Sequence, residues 1–528
     1  MKYQYPDFYN DVFGPVMQPF SSAHTAGPCR MGYLAYTVLG EAVKKIRIQI
    51  DPDSTFVSTF GLQNEDLALL SGCTGHLPDD AILFSMKEVC KREEIAYEFL
   101  FEYLEESRHH TAAKITLTGV SGKTITMVSQ STGGGLVETT SVNGYPFVGN
   151  GDTYVVFVFD RMGEYRLKEL EERLGHDMDI LESGESVAEG RGVMYWFKSS
   201  EEPVLESLES SGMKVAVMRP VTAVITSRNK KPQMFETMEQ WRAVAKEQGK
   251  GLAEAAIDYE IASSCWSREQ VVDYMEHVIK AKMHRATHAI YEEDITLKTN
   301  PFSEFQHENW ERHLSSGPRF TGPTIGKALR YAYAAMTGIP GVEFIPGPMG
   351  SGGGLIYSAL CAVAEDFGYS DEDITRGLFV AAGIGAICFT RSVPGGGNAG
   401  CMGEIGMCGA MAAGAVAEMA GSTPEQVEAA AAMAMMISVG WPCDPISGGK
   451  GQPCGTRAAE AVCMALVYAE IARSGKDPVL PFHEVLDVAT TVGRLLPSTC
   501  RGSDKGGHCL APTAVSCIQC FREWHHSL

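Results

Sequence analysis

In the N-terminal part of the chain, segments rich in β-branched and aromatic residues alternate with segments whose apolar residues have helical spacing. Strands bury every second residue and amphipathic helices bury every third or fourth, so the two patterns predict different elements. The predicted elements are helices at Cys29–Leu39 and Asp79–Glu93 and strands at Lys45–Ile50, Ala113–Leu117 and Thr124–Ser129. This mixture predicts an α/β domain over residues 1–150.

Residues 151–226 follow a different order. A strand at Tyr154–Phe159 precedes a helix at Tyr165–Leu174, and two strands follow. A second helix at Glu202–Ser211 then leads to a strand at Lys214–Arg219. The order βαββαβ is typical of small ferredoxin-like (ACT-like) modules.

The remaining sequence is helical almost throughout. We predict a linker and helix over residues 227–250 and an all-α domain over residues 251–528. N-cap residues with acidic first turns mark helix starts at Ser370 and Ser422. Gly-rich loops interrupt this domain at Gly347–Gly354, Pro394–Gly400, Gly448–Gly451 and Gly502–Gly507. The chain is therefore predicted to be multidomain, with irregular backbone inside a helical domain, where a cofactor would lie.

Charge and hydropathy limit the function classes. The 528-residue chain has a formal net charge of −21, which argues against nucleic acid or an anionic membrane as a partner. We expect no apolar run of the length that spans a bilayer, and the N-terminus does not resemble a signal peptide. These features predict a cytoplasmic protein.

Cysteines are concentrated near the C-terminus, where ten of the 15 lie from Cys388 onward. Three of them, Cys401, Cys443 and Cys454, occur in settings rich in glycine and proline. Their spacings of 42 and 11 residues fit no common zinc-finger pattern. Three thiolates would leave one metal position open for chemistry, which favours an iron–sulfur cluster with a substrate-binding iron. Buried structural thiols or a zinc site are the alternatives.

Several motifs resemble the iron–sulfur-dependent L-serine dehydratase (L-serine ammonia-lyase) family. Ser21–Arg30 is similar to the family's Ser-Ser-Ser-His-Thr-x-Gly-Pro-x-Arg signature, and Gly75–Ala81 to its Gly-His-Gly-Thr-Asp-x-Ala segment. His110 matches the histidine of a His-Pro-Asn segment, and the three cysteines have the family's spacing. The resemblance covers nearly the whole chain and implies that beta-type and alpha-type subunits are fused here.

The resemblance also implies roles for individual residues. Cys401, Cys443 and Cys454 would hold a 4Fe–4S cluster, and Cys517 or Cys520 is a candidate fourth ligand in the resting state. The implied catalytic residues are His76, His110 and His24, of which His76 and His110 are favoured as base or proton relay and His24 as a substrate-binding residue. The implied substrate-binding residues are Ser21, Ser22, Thr25, Arg30, Asn398 and Arg457. Each histidine or arginine has the alternative of a purely structural role.

The activity implied is elimination of water from L-serine, or from a close β-substituted amino acid, to give pyruvate or a related keto acid and ammonia. A cytoplasmic, oxygen-sensitive homodimer would be expected. Ala23, Met349 and the segment Val393–Asn398 depart from the family pattern, however, and remove polar groups that could recognise serine. Elimination of another leaving group, such as sulfide from cysteine, and a non-catalytic cluster-based sensor therefore stay open. Pyridoxal-phosphate chemistry on Lys450 or Lys505 is a weaker alternative.

Overall fold

The computed structural model describes residues 5–205, 212–295, 307–317, 320–348, 350–446, 452–503 and 505–517. The chain divides into two compact units. The α/β unit comprises Ala23–Phe60 and Asn64–Lys230, and the helical unit comprises residues 1–22, 61–63 and 231–528. The predicted four-part division at residues 150, 226 and 250 stays a prediction.

A six-stranded sheet forms the first part of the α/β unit. Its strand order is β2-β1-β3-β4-β5-β6, with β1 and β2 parallel and the other neighbours antiparallel. The strands are β1 Val43–Ile50, β2 Ala96–Phe101, β3 Ala112–Gly119, β4 Thr124–Gly133, β5 Leu136–Val142 and β6 Tyr145–Gly149. The three strands predicted here are confirmed, each slightly longer than expected.

Helices accompany this sheet and share its core. They are α1 Gly27–Leu39, α2 Thr55–Ser58, α3 Glu65–Cys73 and α4 Met86–Arg92. Leu34 and Val38 of α1 lie in one hydrophobic cluster with Ile46 and Ile48 of β1, as the alternating burial of that strand requires. The helix predicted at Asp79–Glu93 is a 3₁₀ turn at Ala81–Ser85 followed by α4.

A second, four-stranded sheet has the order β10-β7-β9-β8 and is antiparallel throughout. Its elements are β7 Tyr154–Asp160, α5 Leu167–Leu174, β8 Ile180–Ala188, β9 Gly192–Ser199 and β10 Lys214–Met218. Leu170 and Leu174 of α5 pack with Val156 and Phe197 of the sheet. Of the second helix predicted at Glu202–Ser211, residues 202–205 are not helical, and residues 206–211 lie outside the described residues.

The helical unit contains the remaining helices. They are α6 Met238–Gln248, α7 Leu252–Ser264, α8 Arg268–Tyr274, α9 Ala281–Glu292, α10 His307–Ser315, α11 Pro323–Thr337, α12 Gly352–Phe367, α13 Asp371–Arg391, α14 Gly396–Ala399, α15 Ile405–Met419, α16 Pro424–Ser438, α17 Cys454–Arg473 and α18 Phe482–Leu495. Helix α15 is buried along almost its whole length and packs against α12, α13, α16 and α17. Its alanines and glycines allow this close packing.

Capping residues define two helix starts that the sequence predicts. Ser370 caps α13, and Thr423, one residue beyond the predicted Ser422, caps α16; both form capping boxes.

Within the described residues, α13 has the length and apolarity of a membrane span, contrary to our expectation, and the bent pair Gly396–Gly403 and Ile405–Met419 passes the same test. However, 78% of the most apolar window of α13 is buried inside the protein, as in a core helix.

Candidate active site

Three loops of the helical unit carry the cysteines that the sequence singled out. Cys401 lies in a 3₁₀ turn at Gly400–Gly403, directly before α15. Cys443 follows α16 in an extended segment that forms a β-bridge with Arg501. Cys454 is the first residue of α17, where the helix dipole favours negative charge. Each cysteine therefore lies beside a helix end.

The Cys443 sulfur interacts with both of the other cysteines. A hydrogen bond with the Cys401 side chain, burial and the nearby Glu404 and Cys454 raise the pKa of the Cys443 thiol well above its usual value. A Cβ atom on Gly396 would lie 2.6 Å from the Cys443 sulfur and 2.9 Å from Glu404 Oε2. Only glycine therefore fits beneath these two groups without displacing them.

Arg457 connects the cysteine loops. Its Nη1 donates to the Cys401 sulfur at 3.4 Å, to the Pro442 carbonyl oxygen at 2.6 Å and to Asp444 Oδ1 at 2.9 Å. The Asp444 side chain is only 2% exposed. Its other oxygen accepts a 3.0 Å hydrogen bond from the His508 N–H and lies 2.7 Å from His508 Nδ1. The described contacts of Arg457 are thus internal to the site.

The segment that follows α18 packs on the Cys443 loop. The Cys443 N–H donates to the Cys500 carbonyl oxygen at 2.9 Å, and the Cys509 thiol donates to the Pro445 carbonyl oxygen at 2.9 Å. Gly507 has a φ of +61°, and a Cβ there would lie 2.1 Å from Asp444 Oδ2, so glycine permits the close approach of His508. Cys517 is half-buried in a helical segment that begins at residue 512, and Cys520 lies outside the described residues.

Glu404 is a residue of this site to which the sequence analysis assigned no role. It follows Cys401 by three residues, and its carboxylate contacts the Gly396 backbone and lies close to Cys443. Burial raises the pKa of Glu404 to about 7, although the Gly396 N–H acts in the opposite direction. The sequence feature that could have identified Glu404 is that it is an acidic residue in a motif rich in glycine and cysteine, with no basic residue in that motif.

The residues present fit an iron–sulfur cluster. Cysteine sulfur is the usual ligand of such clusters, and the Cys443 thiol is hydrogen-bonded to the Cys401 side chain and lies near enough to Cys454 for an electrostatic interaction. An arginine N–H already points at one of the sulfurs, which is the kind of contact that tunes a metal site. A bound cation would also compensate the negative charge that the neighbouring Cys401 and Cys443 sulfurs carry once they lose their protons.

In the α/β unit, His24 and His110 lie close together around Thr55. His24 Nε2 lies 3.2 Å from Thr55 Oγ1, and that hydroxyl donates to the His110 carbonyl oxygen at 3.1 Å. The Thr55 oxygen therefore accepts from His24, which assigns the imidazole proton to Nε2. Burial, and next the charge of His110, lower the pKa of His24 to about 3, so His24 is neutral at physiological pH.

His76 has a different environment. Its Nδ1 lies 2.8 Å from Asp80 Oδ2. The other oxygen of Asp80 caps the 3₁₀ turn at Ala81–Ser85 by accepting from the Ile82 N–H at 3.0 Å. This cap holds the carboxylate in place, so the carboxylate orients the imidazole, and the His76 side chain remains 29% exposed. The structure gives contacts of His76 with Asp80 and, through its carbonyl oxygen, with Cys29.

The other predicted site residues are divided between the two units. Ser21 and Ser22 belong to the helical unit, where the Ser22 hydroxyl lies 3.4 Å from the Pro348 carbonyl oxygen. Thr25 is fully buried in the α/β unit. Arg30 is buried there too and donates to the Gly135 carbonyl oxygen at 2.9 Å. Asn398 lies in α14, and its side chain donates to the Pro394 carbonyl oxygen at 3.1 Å. Binding roles for these residues stay predictions.

The helical unit resembles known proteins in sequence. The serine dehydratase alpha chain family matches residues 207–508, a stretch that includes all three site cysteines. The L-serine dehydratase alpha chain of Peptoniphilus asaccharolyticus is 27% identical over 275 residues, which is 52% of this chain and 94% of that protein. The probable L-serine dehydratase alpha chain of Latilactobacillus sakei is 31% identical over 169 residues, or 32% of this chain and 81% of that protein.

A separate match concerns the second type of subunit. The L-serine dehydratase beta chain of Peptoniphilus asaccharolyticus is 29% identical over 134 residues, which is 25% of this chain and 60% of that protein. One polypeptide here thus has similarity to two proteins that are separate chains in that organism. The chain belongs to the serine dehydratase alpha chain family, with beta-type and alpha-type portions fused in one polypeptide.

Proposed function

We propose that this protein is an iron–sulfur-dependent lyase that dehydrates and deaminates L-serine, or a close β-substituted amino acid, to pyruvate or the corresponding keto acid and ammonia. The observation that carries the proposal is the meeting of Cys401, Cys443 and Cys454 beside Gly396 and Arg457. Similarity to L-serine dehydratase alpha chains supports the same reaction.

Removal of hydroxide from serine has two obstacles, a poor leaving group and a weakly acidic Cα proton. When bound, a 4Fe–4S cluster with one iron free of cysteine supplies a Lewis acid for the leaving hydroxyl. Cys401, Cys443 and Cys454 hold the cluster, and Cys517 is the candidate for a fourth ligand in the resting state. Arg457 keeps the Cys401 and Cys443 loops in register through its contacts with the Cys401 sulfur, Pro442 and Asp444.

For the Cα proton we propose His76 as the base. Its Nδ1–H donates to Asp80, which leaves the lone pair on Nε2, and a carboxylate-oriented imidazole is a common arrangement for proton transfer. His24 suits neutral hydrogen bonding better, because its lowered pKa makes it a weak base. His110 is the candidate proton relay, since it lies beside His24.

The loop around Asn398 bears on the identity of the substrate. The Asn398 amide donates to Pro394 within the same loop, and the segment Val393–Asn398 contains no hydroxyl side chain. This observation favours a second candidate, the β-elimination of a different leaving group such as sulfide from cysteine.

We further propose that the four-stranded sheet with α5 is a ferredoxin-like, ACT-like regulatory module. Its strand order, with β7 and β9 central and β10 beside β7, supports this assignment. A homodimer in the cytoplasm, with a small amino acid as its substrate and neither nucleic acid nor membrane as a partner, completes the proposal.

Anaerobic purification followed by iron, sulfide and keto-acid assays tests the proposed function. We expect iron and inorganic sulfide in nearly equal amounts, a broad visible absorption that bleaches in air, and keto-acid release from L-serine. Release from L-cysteine alone would move the proposal to the second candidate. A cluster without turnover on either amino acid would favour a sensor, and protein without iron or sulfide would contradict the proposal.

A further inference from the structure

A second group of metal-ligand side chains lies in the helical unit, apart from the three site cysteines. It consists of His288 on α9 and Cys361 and Glu365 on α12, and one ligand atom from each lies within 4.8 Å of the other two. The Cys361 sulfur is 3.9 Å from His288 Nε2 and 3.2 Å from Glu365 Oε1. Cys361 and Glu365 share one face of α12 because they are four residues apart.

The hydrogen bonds of His288 direct Nε2 toward the sulfur. The Thr287 hydroxyl donates to the backbone carbonyl oxygens of Met283 and His284, so its oxygen accepts from His288 Nδ1 at 2.7 Å. The proton therefore lies on Nδ1, and the lone pair on Nε2 faces Cys361. Histidines that bind metals usually donate from the other ring nitrogen in this way. Burial, and next His284, also lower the pKa of His288, so the ring is neutral.

Glu365 is held in position from outside the group. Its Oε1 accepts a 2.8 Å hydrogen bond from the Tyr331 hydroxyl, and its Oε2 lies 2.9 Å from Lys327 Nζ. Lys327 is in turn neutralised by Asp366 at 2.6 Å. The thiolate of Cys361 and the carboxylate of Glu365 would therefore present two negative charges, which match a divalent cation.

The three residues also differ in how far they are exposed to solvent. His288 and Cys361 are 7% and 6% exposed, whereas the side chain of Glu365 is 39% exposed. An ion could thus enter from the Glu365 side and keep one water ligand. Burial, followed by Glu365, raises the pKa of the Cys361 thiol, so the proton stays on sulfur unless a cation replaces it.

We propose that His288, Cys361 and Glu365 form a site for a single divalent metal ion of borderline softness, with Zn²⁺ as the natural occupant. Tetrahedral zinc has ligand bonds of roughly 2.0–2.3 Å, which separate the ligand atoms by roughly 3.3–3.6 Å. The Cys361 sulfur, at 3.9 Å from His288 Nε2 and 3.2 Å from Glu365 Oε1, is close to this range, and His288 and Glu365 lie within 4.8 Å of each other. On binding, a zinc–sulfur bond forms, the Cys361 S–H bond breaks, and the proton passes to water.

Titration of the anaerobic, cluster-loaded full chain with Co²⁺ tests the site, because a cobalt–thiolate bond has an intense near-ultraviolet absorption. We expect one equivalent of Co²⁺ to produce this band and Zn²⁺ to displace it.

Cys361→Ser should abolish the band, and His288→Gln should weaken binding by at least about 100-fold. Thr287→Val removes only the support of the ring and should weaken binding by about 10–100-fold. Cys463→Ser, which changes a partly buried thiol of α17, is the matched control and should leave the band intact.

Each other outcome overturns the proposal. No cobalt band in the wild-type protein, or an undiminished band in Cys361→Ser, would exclude the site. A band lost in Cys401→Ser but kept in Cys361→Ser would assign the cobalt to the three-cysteine site. If Cys361→Ser does not fold, Glu365→Gln at the exposed side serves as the second variant, and unchanged affinity there would equally exclude the site. Iron and sulfide content, measured in parallel, reports on the proposed function independently.

Discussion

The cysteine loops of the helical unit and the surroundings of His24 in the α/β unit are built on opposite principles. The cysteine loops contain a charged network in which Arg457 contacts Cys401 and Asp444, and Asp444 also contacts His508. His24, in contrast, is neutral because it is buried and lies beside His110. One region is organised by opposite charges around sulfur, and the other by the exclusion of charge.

This difference predicts that substitutions in the two regions have different consequences. Loss of one sulfur or one charge in the cysteine loops leaves the others without compensation, since buried charges depend on their partners. Replacement of a neutral, hydrogen-bonded histidine removes a proton-transfer group but leaves no buried charge behind. Variants of the cysteine region should therefore affect metal content and stability, and variants of the histidine region should affect rate and pH dependence.

The largest effect is expected for the cysteine ligands. Cys401→Ser, Cys443→Ser and Cys454→Ser should each lose most of the iron and at least ~10³-fold in kcat, because Lewis-acid stabilisation of a leaving group contributes several kcal/mol. Iron and sulfide assays on anaerobically purified protein, together with keto-acid release, measure both effects. Cys463→Ser is the control and should match the wild-type protein. Full iron and full activity in any of the three variants would remove that cysteine from the ligand set.

The histidine variants should separate rate from metal content. We expect His76→Ala to lower kcat by about 10²–10⁴-fold, the usual contribution of a general base, with iron content unchanged. His110→Ala should have a smaller effect if it acts as a relay. The measurement is kcat and KM as a function of pH, with iron content determined for each preparation.

Two controls sharpen this prediction. His277→Ala changes an exposed histidine that pairs only weakly with Asp273, and it should leave kcat unchanged. His109→Ala changes the ring stacked on His110 at 4.5 Å and tests whether His109, rather than His110, is the relay. If His109→Ala lowers kcat more than His110→Ala, the relay assignment belongs to His109.

The sequence predicted the two kinds of site unequally well. Strands such as β1 and helix starts such as Ser370 follow from local periodicity and capping, and they agree with the structure. Cysteine spacing similarly marked the loops that meet. Local patterns could not reveal that the Glu404 carboxylate lies close to the Cys443 thiol. Nor could they reveal that Asp444 contacts both Arg457 and His508, or that the His288 ring faces the Cys361 sulfur. These contacts join residues brought together only by helix packing.

A smaller effect, on stability, is expected for Arg457. Arg457→Gln removes the guanidinium from the nearly inaccessible Asp444 carboxylate, whose other ion-pair partner among the described residues is the His508 side chain, and breaking a buried pair from one side costs about 3 kcal/mol or more. Asp444→Asn should partly rescue Arg457→Gln, so the double variant should lose less stability than the sum of the two single variants. Chemical unfolding of the four proteins measures the coupling. Strict additivity would mean that the ion pair contributes no coupling energy.

The smallest effect is a change in the pH dependence of stability caused by His24. Its pKa is about 3 in the folded protein and about 6.5 in an unfolded chain. Between these values the unfolded chain binds more protons, so the free energy of unfolding falls as the pH falls from about 6.5 toward about 3, by up to ~1.4 kcal/mol per pH unit. His24→Gln should remove this one-proton contribution, which urea unfolding at a series of pH values measures.

Some pH dependence of the free energy of unfolding should remain in His24→Gln, because burial also lowers the pKa of His109 and His288. The variant His277→Gln, at an exposed histidine, should keep the wild-type slope. An unchanged slope in His24→Gln would mean that folding does not lower the pKa of His24, which would contradict the contrast between the two regions.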